Sequence, residues 1–366
     1  MRNSLLVVLV LLTMNVYSQK SIFYIGSGQK GPDASITLAE LNLQNGEISI
    51  KDTVNNCSGP GYLAISSNKR NLYAVSADNK INAFSIGSDH HLAFQNAMSS
   101  FGENPCHISV HPTGTMVYTA NYSGGTFSAY SVAKDGSIDK VIFTDQYRGS
   151  GPNTKRQDRS HAHYATPTPN GKFVLVTDLG ADKIMNYKVS VKKNKLVPNP
   201  KQPYFTSAAG AGPRHLVIHP SGKYLFLLNE LTATVTACSL DKDGVIKEIA
   251  SYQTAPQDLS VGNTSAAIHL HPNGKFVYVS NRGYNAIGAF KIMEDGRLEK
   301  VGDVRQGIQI PRDFNIDPTG KFMVVANQTK NNLVVYSVNS ETGELSFLHE
   351  SVDTKEPICI TFLDGK

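Results

Sequence analysis

One hairpin, repeated along the chain, constrains the fold more than any other feature. Its fullest copy, PRHLVIHPSGKYLFLLNE, runs from Pro213 to Glu230 and joins two apolar runs through a His-Pro-x-Gly turn. Apolar runs separated by such a turn are typical of buried, paired strands. The copies are centred on Lys20, Lys69, Gly114, Gly171, Gly222, Gly274 and Gly320, with intervals of 49, 45, 57, 51, 52 and 46 residues. A strand-only period of this length predicts the four-stranded blades of a β-propeller.

The two ends of the chain predict how the ring of blades closes. The last residues, PICITFLDGK, match the incoming strand of a hairpin, with Gly365 at the turn position and no outgoing strand after it. The segment KSIFYIGSG, from Lys20, matches an outgoing strand that lacks an incoming one. Pairing the two would hide both sheet edges. The sequence therefore predicts an all-β, seven-bladed β-propeller that is closed by its N- and C-terminal strands and forms a single domain over residues 19–366.

The first 18 residues have a different character. Arg2 precedes the apolar run Leu5–Leu12, and Val16–Ser18 ends in a small residue that suits cleavage. This order is typical of a secretory signal peptide. The run is too short for a stable membrane span. We expect export to the periplasm or the exterior and no stable membrane insertion.

Cysteine spacing and charge exclude several classes of function. The four cysteines, Cys57, Cys106, Cys238 and Cys359, lie far apart and form no C-x-x-C pair. We therefore expect free, buried, structural thiols and no zinc site. The formal charge of +5 is spread along the chain, without a basic run interleaved with aromatic residues. Nucleic acid is consequently not an expected partner.

A polar insertion explains the longest interval in the repeat. Residues Gln146–Ser160, QYRGSGPNTKRQDRS, are rich in glycine and basic side chains and lead into His161-Ala162-His163. Long loops in compact repeats are commonly functional.

Position within the repeat indicates where a site lies. With the turn glycine as zero, position −8 opens the incoming strand and position +8 closes the outgoing strand. In an antiparallel hairpin we expect the two to lie side by side, at the end away from the turn. Position −8 is held by Cys106, His163, Arg214, Ala266 and Arg312, and position +8 by Tyr122, Leu179, Glu230, Arg282 and Gln328. Because the residue type varies, the fold does not require charge there, and the charged members are predicted to face one axial funnel.

Residue types that recur in every blade are interpreted as structural. Position +7 is always Asn or Asp, which we expect to cap strand ends through side-chain hydrogen bonds. Position −3 holds three histidines in different blades, and a metal site is not predicted there. The Arg214–Glu230 pair, within one hairpin, is open to a simpler interpretation as a salt bridge. The residues at +7 are Asn121, Asp178, Asn229, Asn281 and Asn327. The residues at −3 are His111, His219, His271 and Asp317.

Three stretches carry a resemblance to a known family. They are GSGPNTKRQDRSHAHYATPTPNGKFVLVTDLGADKI, GPRHLVIHPSGKYLFLLNE and VSNRGYNAIGAF. They resemble the seven-bladed propeller lactonases, which include a bacterial 6-phosphogluconolactonase and a fungal carboxy-cis,cis-muconate lactonizing enzyme. The resemblance implies a catalytic set of His163, Arg214, Glu230 and Arg282, with His161 as the competing histidine, and no required cofactor. We also expect His161, Arg312, His107 and Arg156 to bind substrate.

The leading functional expectation is hydrolysis of a small, anionic sugar lactone, with Glu230 as general base. His163 would donate a proton or a hydrogen bond to the leaving ring oxygen, and Arg214 and Arg282 would bind the substrate anion and the carbonyl oxygen. Two alternatives stay open: a lactonizing cyclase acting on an unsaturated dicarboxylate, and a non-catalytic propeller that binds a ligand or partner. Because the chain carries an export signal, whether the lactone is phosphorylated also stays open.

Overall fold

The computed structural model describes residues 19–31, 34–256 and 262–364. The predicted signal peptide and the turn residue Gly365 lie outside the described residues. The first blades contain β1 (Lys20–Ser27), β2 (Ile36–Asn42), β3 (Ile48–Val54), β4 (Leu63–Ile65), β5 (Asn71–Ser76), β6 (Lys80–Ile86), β7 (Leu92–Ser99), β8 (Pro105–Val110), β9 (Met116–Asn121), β10 (Thr126–Val132) and β11 (Ile138–Gln146). The middle blades contain β12 (Ala162–Pro167), β13 (Phe173–Asp178), β14 (Lys183–Ser190), the 3-10 turn Val191–Lys193, β15 (Lys195–Pro198), β16 (Tyr204–Thr206), β17 (Pro213–Ile218), β18 (Tyr224–Asn229), β19 (Thr234–Leu240) and β20 (Ile246–Gln253). The last blades contain β21 (Thr264–Leu270), β22 (Phe276–Arg282), β23 (Ala286–Ile292), β24 (Leu298–Val304), β25 (Pro311–Ile316), β26 (Phe322–Asn327), β27 (Asn332–Val338), β28 (Leu345–Asp353) and β29 (Pro357–Phe362).

These strands form seven antiparallel sheets, which confirms the predicted propeller. Six sheets follow chain order, from β4–β7 to β25–β28, and β16 adds a short fifth strand to one of them by pairing with β14. The first strand of each sheet contacts the first strand of the next, and β25 contacts β29 in turn, so the first strands form a closed ring around an axis.

The remaining sheet has the order β29-β1-β2-β3 and joins both ends of the chain. Phe23 is opposite Phe362, and Gly26 is opposite Cys359. The predicted closure is therefore confirmed.

The turn of each hairpin explains the recurring glycine. The glycines at the turn have φ angles of +66° to +78°, in the left-handed region that favours a residue without a Cβ. Each donates its N–H to the carbonyl of the residue at −3, at 2.7–2.9 Å. The five are Gly114, Gly171, Gly222, Gly274 and Gly320.

Blades are held together by apolar side chains from facing sheets. The buried residues fall into seven hydrophobic clusters, each drawn from two adjacent blades. One cluster packs Phe23 and Ile25 of the first sheet against Val324 and Val335 of the last. Alternation along the strands therefore places the core between the blades and leaves the axis to polar side chains.

The recurring histidines at −3 link neighbouring blades. Nε2 of His111, His219 and His271 bonds the carbonyl oxygen of the turn glycine in the next blade, at 2.9, 3.1 and 2.9 Å. Since a carbonyl only accepts, Nε2 carries the hydrogen in each case. Asp317 instead caps its own turn, accepting from the backbone of Lys321 and Phe322.

The polar residues at +7 form the hydrogen bonds expected at strand ends. Asn121, for example, donates to the carbonyl of Ser100, and Asp178 accepts from the backbone of His161 and Gly180. The four cysteines are free thiols, and three are buried. The expectation that all four are buried was wrong for Cys106, which is only partly covered because its strand bulges towards the axis.

Candidate active site

The site is positioned by a β-bulge that opens the first strand of several blades. The register shifts between Pro105 and His107, Ala162 and Tyr164, Pro213 and His215, and Pro311 and Asp313. Each shift leaves one residue without a partner, and these are the residues at −8: Cys106, His163, Arg214 and Arg312. The expected pairing of −8 with +8 is therefore wrong: −9 pairs with +7, as Pro213 does with Asn229. A bulge turns its extra side chain away from the ladder, here into the axial funnel.

Glu230 is the centre of the site. Its Oε1 lies 2.6 Å from Nη2 of Arg156 and 3.3 Å from Nη2 of Arg282, and its Oε2 lies 2.9 Å from Nε of Arg214. The Glu230 side chain is 4% exposed and that of Arg214 3%, so the pair is shielded from water. Three guanidiniums thus converge on one buried carboxylate from three separate parts of the chain.

The guanidiniums determine the ionisation of this carboxylate. Burial alone would raise the pKa of Glu230, but Arg282, Arg214 and Arg156 together lower it to about 2. Burial lowers the pKa of Arg282 to about 10, against the opposing effect of Glu230. Both groups are therefore charged at neutral pH.

Two of the arginines are also anchored by backbone carbonyls of the sixth blade. Arg214 donates through Nη1 to the carbonyl of Ala266, and Arg282 donates through Nη2 to that of Ser265 at 3.1 Å. The Nε of Arg282 is buried and has no hydrogen-bond partner among the described residues. Part of the hydrogen-bonding capacity of the cluster is thus unused by the protein.

The insertion after β11 supplies the third arginine. Arg156 also lies 3.3 Å from the hydroxyl of Tyr122. The neighbouring Gln157 is fully buried and donates to the carbonyl of Leu179 and to the carboxylate of Asp182, at 2.9 and 2.8 Å. The insertion is therefore fastened beside Arg156, which places the guanidinium over Glu230.

The two candidate histidines, His161 and His163, differ in their hydrogen-bond partners. The ring of His161 stacks on Tyr122, with centroids 4.4 Å apart, and its two nitrogens contact the carbonyl of Tyr122 and the carboxylate of Asp158. His163 is buried, with Tyr122 edge-on at 5.5 Å, and its Nδ1 has no partner among the described residues. Burial, with Arg214 and Arg312, holds the pKa of His163 well below its usual range, so the ring is neutral. His163 is thus the histidine with an unused hydrogen-bonding group.

Arg312 faces a narrow cavity on the axis. No hydrogen bond or ion pair joins Arg312 to any residue that the structure describes. Asp313, beside it, is already engaged with His269 and with the backbone of Ile360. The cavity is lined by Gly61, Tyr62, Cys106, Arg214, His215, Arg312, Asp313 and Ile358.

His107 is not brought to Glu230. It packs between Tyr62 and Tyr164, with centroids 4.2 and 3.8 Å away, and its Nδ1 accepts from the backbone of Ala165. Its ring is thus held among aromatic rings and the backbone of the next blade, and makes no hydrogen bond to the guanidiniums among the described residues. Within residues 19–31, 34–256 and 262–364, no group of three or more His, Cys, Asp or Glu side chains is placed to hold a metal ion.

Sequence reasoning missed two contributors, Tyr122 and His215. Tyr122 occupies the same repeat position as Glu230, which was a usable signal, but its contact with Arg156 depends on the path of the insertion. His215 adjoins Arg214 in the chain, and its bond to that guanidinium depends on the bulge between them.

Comparison with known proteins agrees with this architecture. A family model described as "Lactonase, 7-bladed beta-propeller" matches residues 22–362. A 6-phosphogluconolactonase of Bacillus subtilis is 34% identical over 350 residues, covering 94% of this chain and 99% of the relative. A putative 6-phosphogluconolactonase from Bacteroides fragilis has a solved structure with a TM-score of 0.88 and 28% identity, covering 95% of this chain and 99% of that one. The Pseudomonas aeruginosa periplasmic gluconolactonase matches with a TM-score of 0.87 and 23% identity, over 94% of this chain and 99% of its own, which shows the shared fold.

Proposed function

The chain belongs to the lactonase family of seven-bladed β-propellers, and we propose that it hydrolyses the ring ester of a sugar lactone. The observation that carries the proposal is the convergence of Arg156, Arg214 and Arg282 on ionised Glu230, beside a neutral His163 with an unused nitrogen. This set offers a base, oxyanion donors and a hydrogen bond for a leaving oxygen in one water-restricted place. The relatives named 6-phosphogluconolactonase support the same reaction.

In the proposed reaction, a water molecule attacks the lactone carbonyl and gives a proton to Glu230. A new carbon–oxygen bond forms while electrons move onto the carbonyl oxygen, where Arg214 and Arg282 stabilise the charge. The ring carbon–oxygen bond then breaks as the carbonyl double bond re-forms, and the departing oxygen, to which His163 donates a hydrogen bond, takes up the proton held by Glu230 and restores the carboxylate. The product is an open-chain hydroxy acid, which ionises at neutral pH and releases one proton.

We further propose that the lactone is anionic. Four guanidiniums, those of Arg156, Arg214, Arg282 and Arg312, face two carboxylates in the funnel, Glu230 and Asp313, and Asp313 is already engaged with His269 and the backbone of Ile360. An uncompensated charge that is largely removed from water is costly unless a ligand neutralises it. A carboxylate or phosphate on the lactone supplies that charge, and guanidiniums bind both in forked geometry.

The low pKa of Glu230 in the free protein makes it a weak base, and substrate binding changes this. An anionic group that takes up guanidinium hydrogen bonds weakens their hold on Glu230 and adds negative charge beside it. Both effects raise the pKa of Glu230 towards the operating pH, where a general base is most efficient.

The test is a panel of neutral, carboxylated and phosphorylated sugar lactones, with ring opening followed by pH-indicator release. We expect catalysis of at least one anionic lactone, and Glu230→Gln to lower its kcat by about 100-fold or more. Glu248→Gln, the same change at an exposed position of the same blade, serves as the control. Because Glu230→Gln also leaves buried guanidiniums without a counter-charge, its melting temperature is measured and assays are run well below it.

The outcomes separate the alternatives. Unchanged hydrolysis by Glu230→Gln would reduce Glu230 to a salt-bridge partner of the arginines. Turnover of a muconate-type dicarboxylate in place of every lactone would favour the lactonizing cyclase. Saturable binding of an anionic sugar without any turnover would favour a non-catalytic propeller.

We propose that the protein is exported because Arg2 and the apolar run Leu5–Leu12 precede Val16–Ser18, in the order of a signal peptide. In the described part of the chain, from residue 19 onward, no helix is long and apolar enough to cross a membrane. We expect the mature protein to begin at about Gln19, which N-terminal sequencing of the protein from its native host measures. Full-length chain beginning at Met1 in the cytoplasm would contradict export.

A further inference from the structure

Four aromatic rings from consecutive blades pack around the axis next to the site. They occupy position −7 of four successive repeat copies and are Tyr62, His107, Tyr164 and His215. Neighbouring centroids lie 4.2, 3.8 and 4.6 Å apart, and His215 closes the set by contacting Tyr62 at 5.9 Å. This group, here called the axial ring cluster, contains no residue of the proposed reaction.

His215 is the member of the axial ring cluster that is bonded to the site. Nη1 of Arg214 lies 3.0 Å from Nε2 of His215. Since a guanidinium nitrogen can only donate, Nε2 of His215 accepts, and its hydrogen is carried by Nδ1. His215 is 4% exposed, and burial together with the charge of Arg214 holds its pKa well below the usual range. The ring is therefore neutral, as an acceptor must be.

The hydrogen bonds of Arg214 show which of its guanidinium nitrogens has no protein partner. Nε donates to Glu230, and Nη1 donates to His215 and to the carbonyl of Ala266. Nη2 has no hydrogen bond to any described residue, and Arg214 lines the axial cavity. The protein thus engages two of the three nitrogens and leaves the third for a ligand.

We propose that His215 is a positioning residue: its Nε2 fixes the rotation of Arg214 so that Nη2 is presented to the carbonyl oxygen of the lactone. The inference rests on the proposed function, and it assigns one donor atom to the charge that develops during ring opening. Packing in the axial ring cluster holds the imidazole, and the imidazole holds the guanidinium. Pre-organised donors of this kind act without reorganisation when charge develops.

The substitution that isolates this role is His215→Phe, which keeps an aromatic ring in the cluster and removes the acceptor. We expect kcat to fall by about 10- to 100-fold with KM changed far less, because the lost alignment matters most in the transition state. His215→Gln places an amide oxygen near the position of Nε2, and we expect it to recover most of the lost kcat. Tyr164→Phe, in the same cluster, keeps the ring and removes only a hydroxyl that interacts with Tyr62, so it is the packing control.

A second measurement does not depend on turnover. Guanidinium NMR on arginine-labelled protein reports whether rotation of Arg214 is hindered. We expect separate Nη1 and Nη2 signals for Arg214 in the wild type and in His215→Gln, and a single averaged signal in His215→Phe.

Each result has one meaning. His215→Phe with wild-type kcat, or His215→Gln as slow as His215→Phe at equal melting temperature, would overturn the positioning role. A wild-type protein that opens no lactone would overturn the proposed function. In that case, the NMR comparison would still decide whether His215 fixes Arg214.

Discussion

At the scale of single residues, Glu230 is held between opposing effects. Burial favours its neutral form, whereas Arg156, Arg214 and Arg282 favour the carboxylate, and the guanidiniums dominate. The same groups that keep the carboxylate ionised are those proposed to bind the substrate. Its basicity therefore depends on whether the site is occupied.

This coupling predicts a difference between two pH profiles. The profile of kcat/KM reports groups of the free enzyme, and that of kcat reports groups of the complex. Because the pKa of Glu230 is about 2 in the free protein, its acid limb in kcat/KM falls below the usual assay range. We expect the acid limb of kcat to lie about two pH units or more higher, within the range from pH 4 to pH 8, since a bound anion competes for the guanidiniums.

The measurement is steady-state kinetics from pH 4 to pH 8, with a lactone whose own anionic group does not titrate in that range. Acid limbs that coincide in the two profiles would show that substrate does not draw on the arginines that surround Glu230.

The sequence predicted several residues of the site, for a physical reason. Arg214, Glu230 and Arg282 stand at repeat positions where other blades hold Ala266, Leu179 or other residues, so their charge is not needed for the fold. The contacts among these side chains depend on how far each one extends across the axis, and a position in the repeat does not show that distance. The roles assigned to these residues remain predictions.

At the scale of elements, the insertion after β11 is a fixed part of the site. Gln157 is buried and binds Leu179 and Asp182, and it lies next to Arg156, whose side chain is 38% exposed. Gln157 fastens the loop while its neighbour Arg156 reaches Glu230 in the axial funnel. Composition predicted that this loop was functional, but its anchoring depends on contacts with a different blade.

We predict that Gln157→Leu weakens substrate binding. The change fills similar space but removes three side-chain hydrogen bonds, to Leu179, to Asp182 and from the backbone of Asn153, so the loop loses its anchor and Arg156 its fixed position. We expect KM for an anionic lactone to rise by about 5- to 50-fold, comparable with loss of 1 to 2 kcal/mol of binding. Lys155→Ala removes a charge from the exposed part of the same loop and is the control. Equal KM values for the wild type and Gln157→Leu would show that the anchor does not position Arg156.

The β-bulges at the start of the first strands were not predicted from the repeat. Register counting assumes a regular ladder, and the extra residue between Pro213 and His215 is visible only once both strands are paired. The apolar alternation nevertheless predicted the strands and their closure, because a one-residue slip elsewhere would expose the core between blades.

At the scale of the whole molecule, both ends of the chain share one sheet. Strand β29 pairs with β1, and Ile360 and Phe362 pack in the cluster that joins the first and last blades. This strand therefore contributes to the innermost ring and to a core interface.

We predict that deleting residues 357–366 yields aggregated protein. The deletion removes a buried strand and exposes the inner edge of β1, which is then free to pair with other chains. Size-exclusion chromatography and thermal unfolding measure the outcome. A matched deletion of residues 365–366 alone keeps β29 and is expected to elute like the full-length protein. A 357–366 deletion that elutes like the full-length protein, with an unchanged melting temperature, would contradict the role of the closure.

The shared sheet also sets an order of events during biosynthesis. Strand β1 leaves the ribosome well before β29, its inner neighbour in the sheet. Contacts between residues so far apart in sequence form slowly, since the whole intervening chain must be ordered first. The first blade must therefore wait for the last to be made, and a chain interrupted anywhere before β29 is left with an incomplete ring. Quality-control proteases can distinguish such a fragment from the finished protein by its open edge alone.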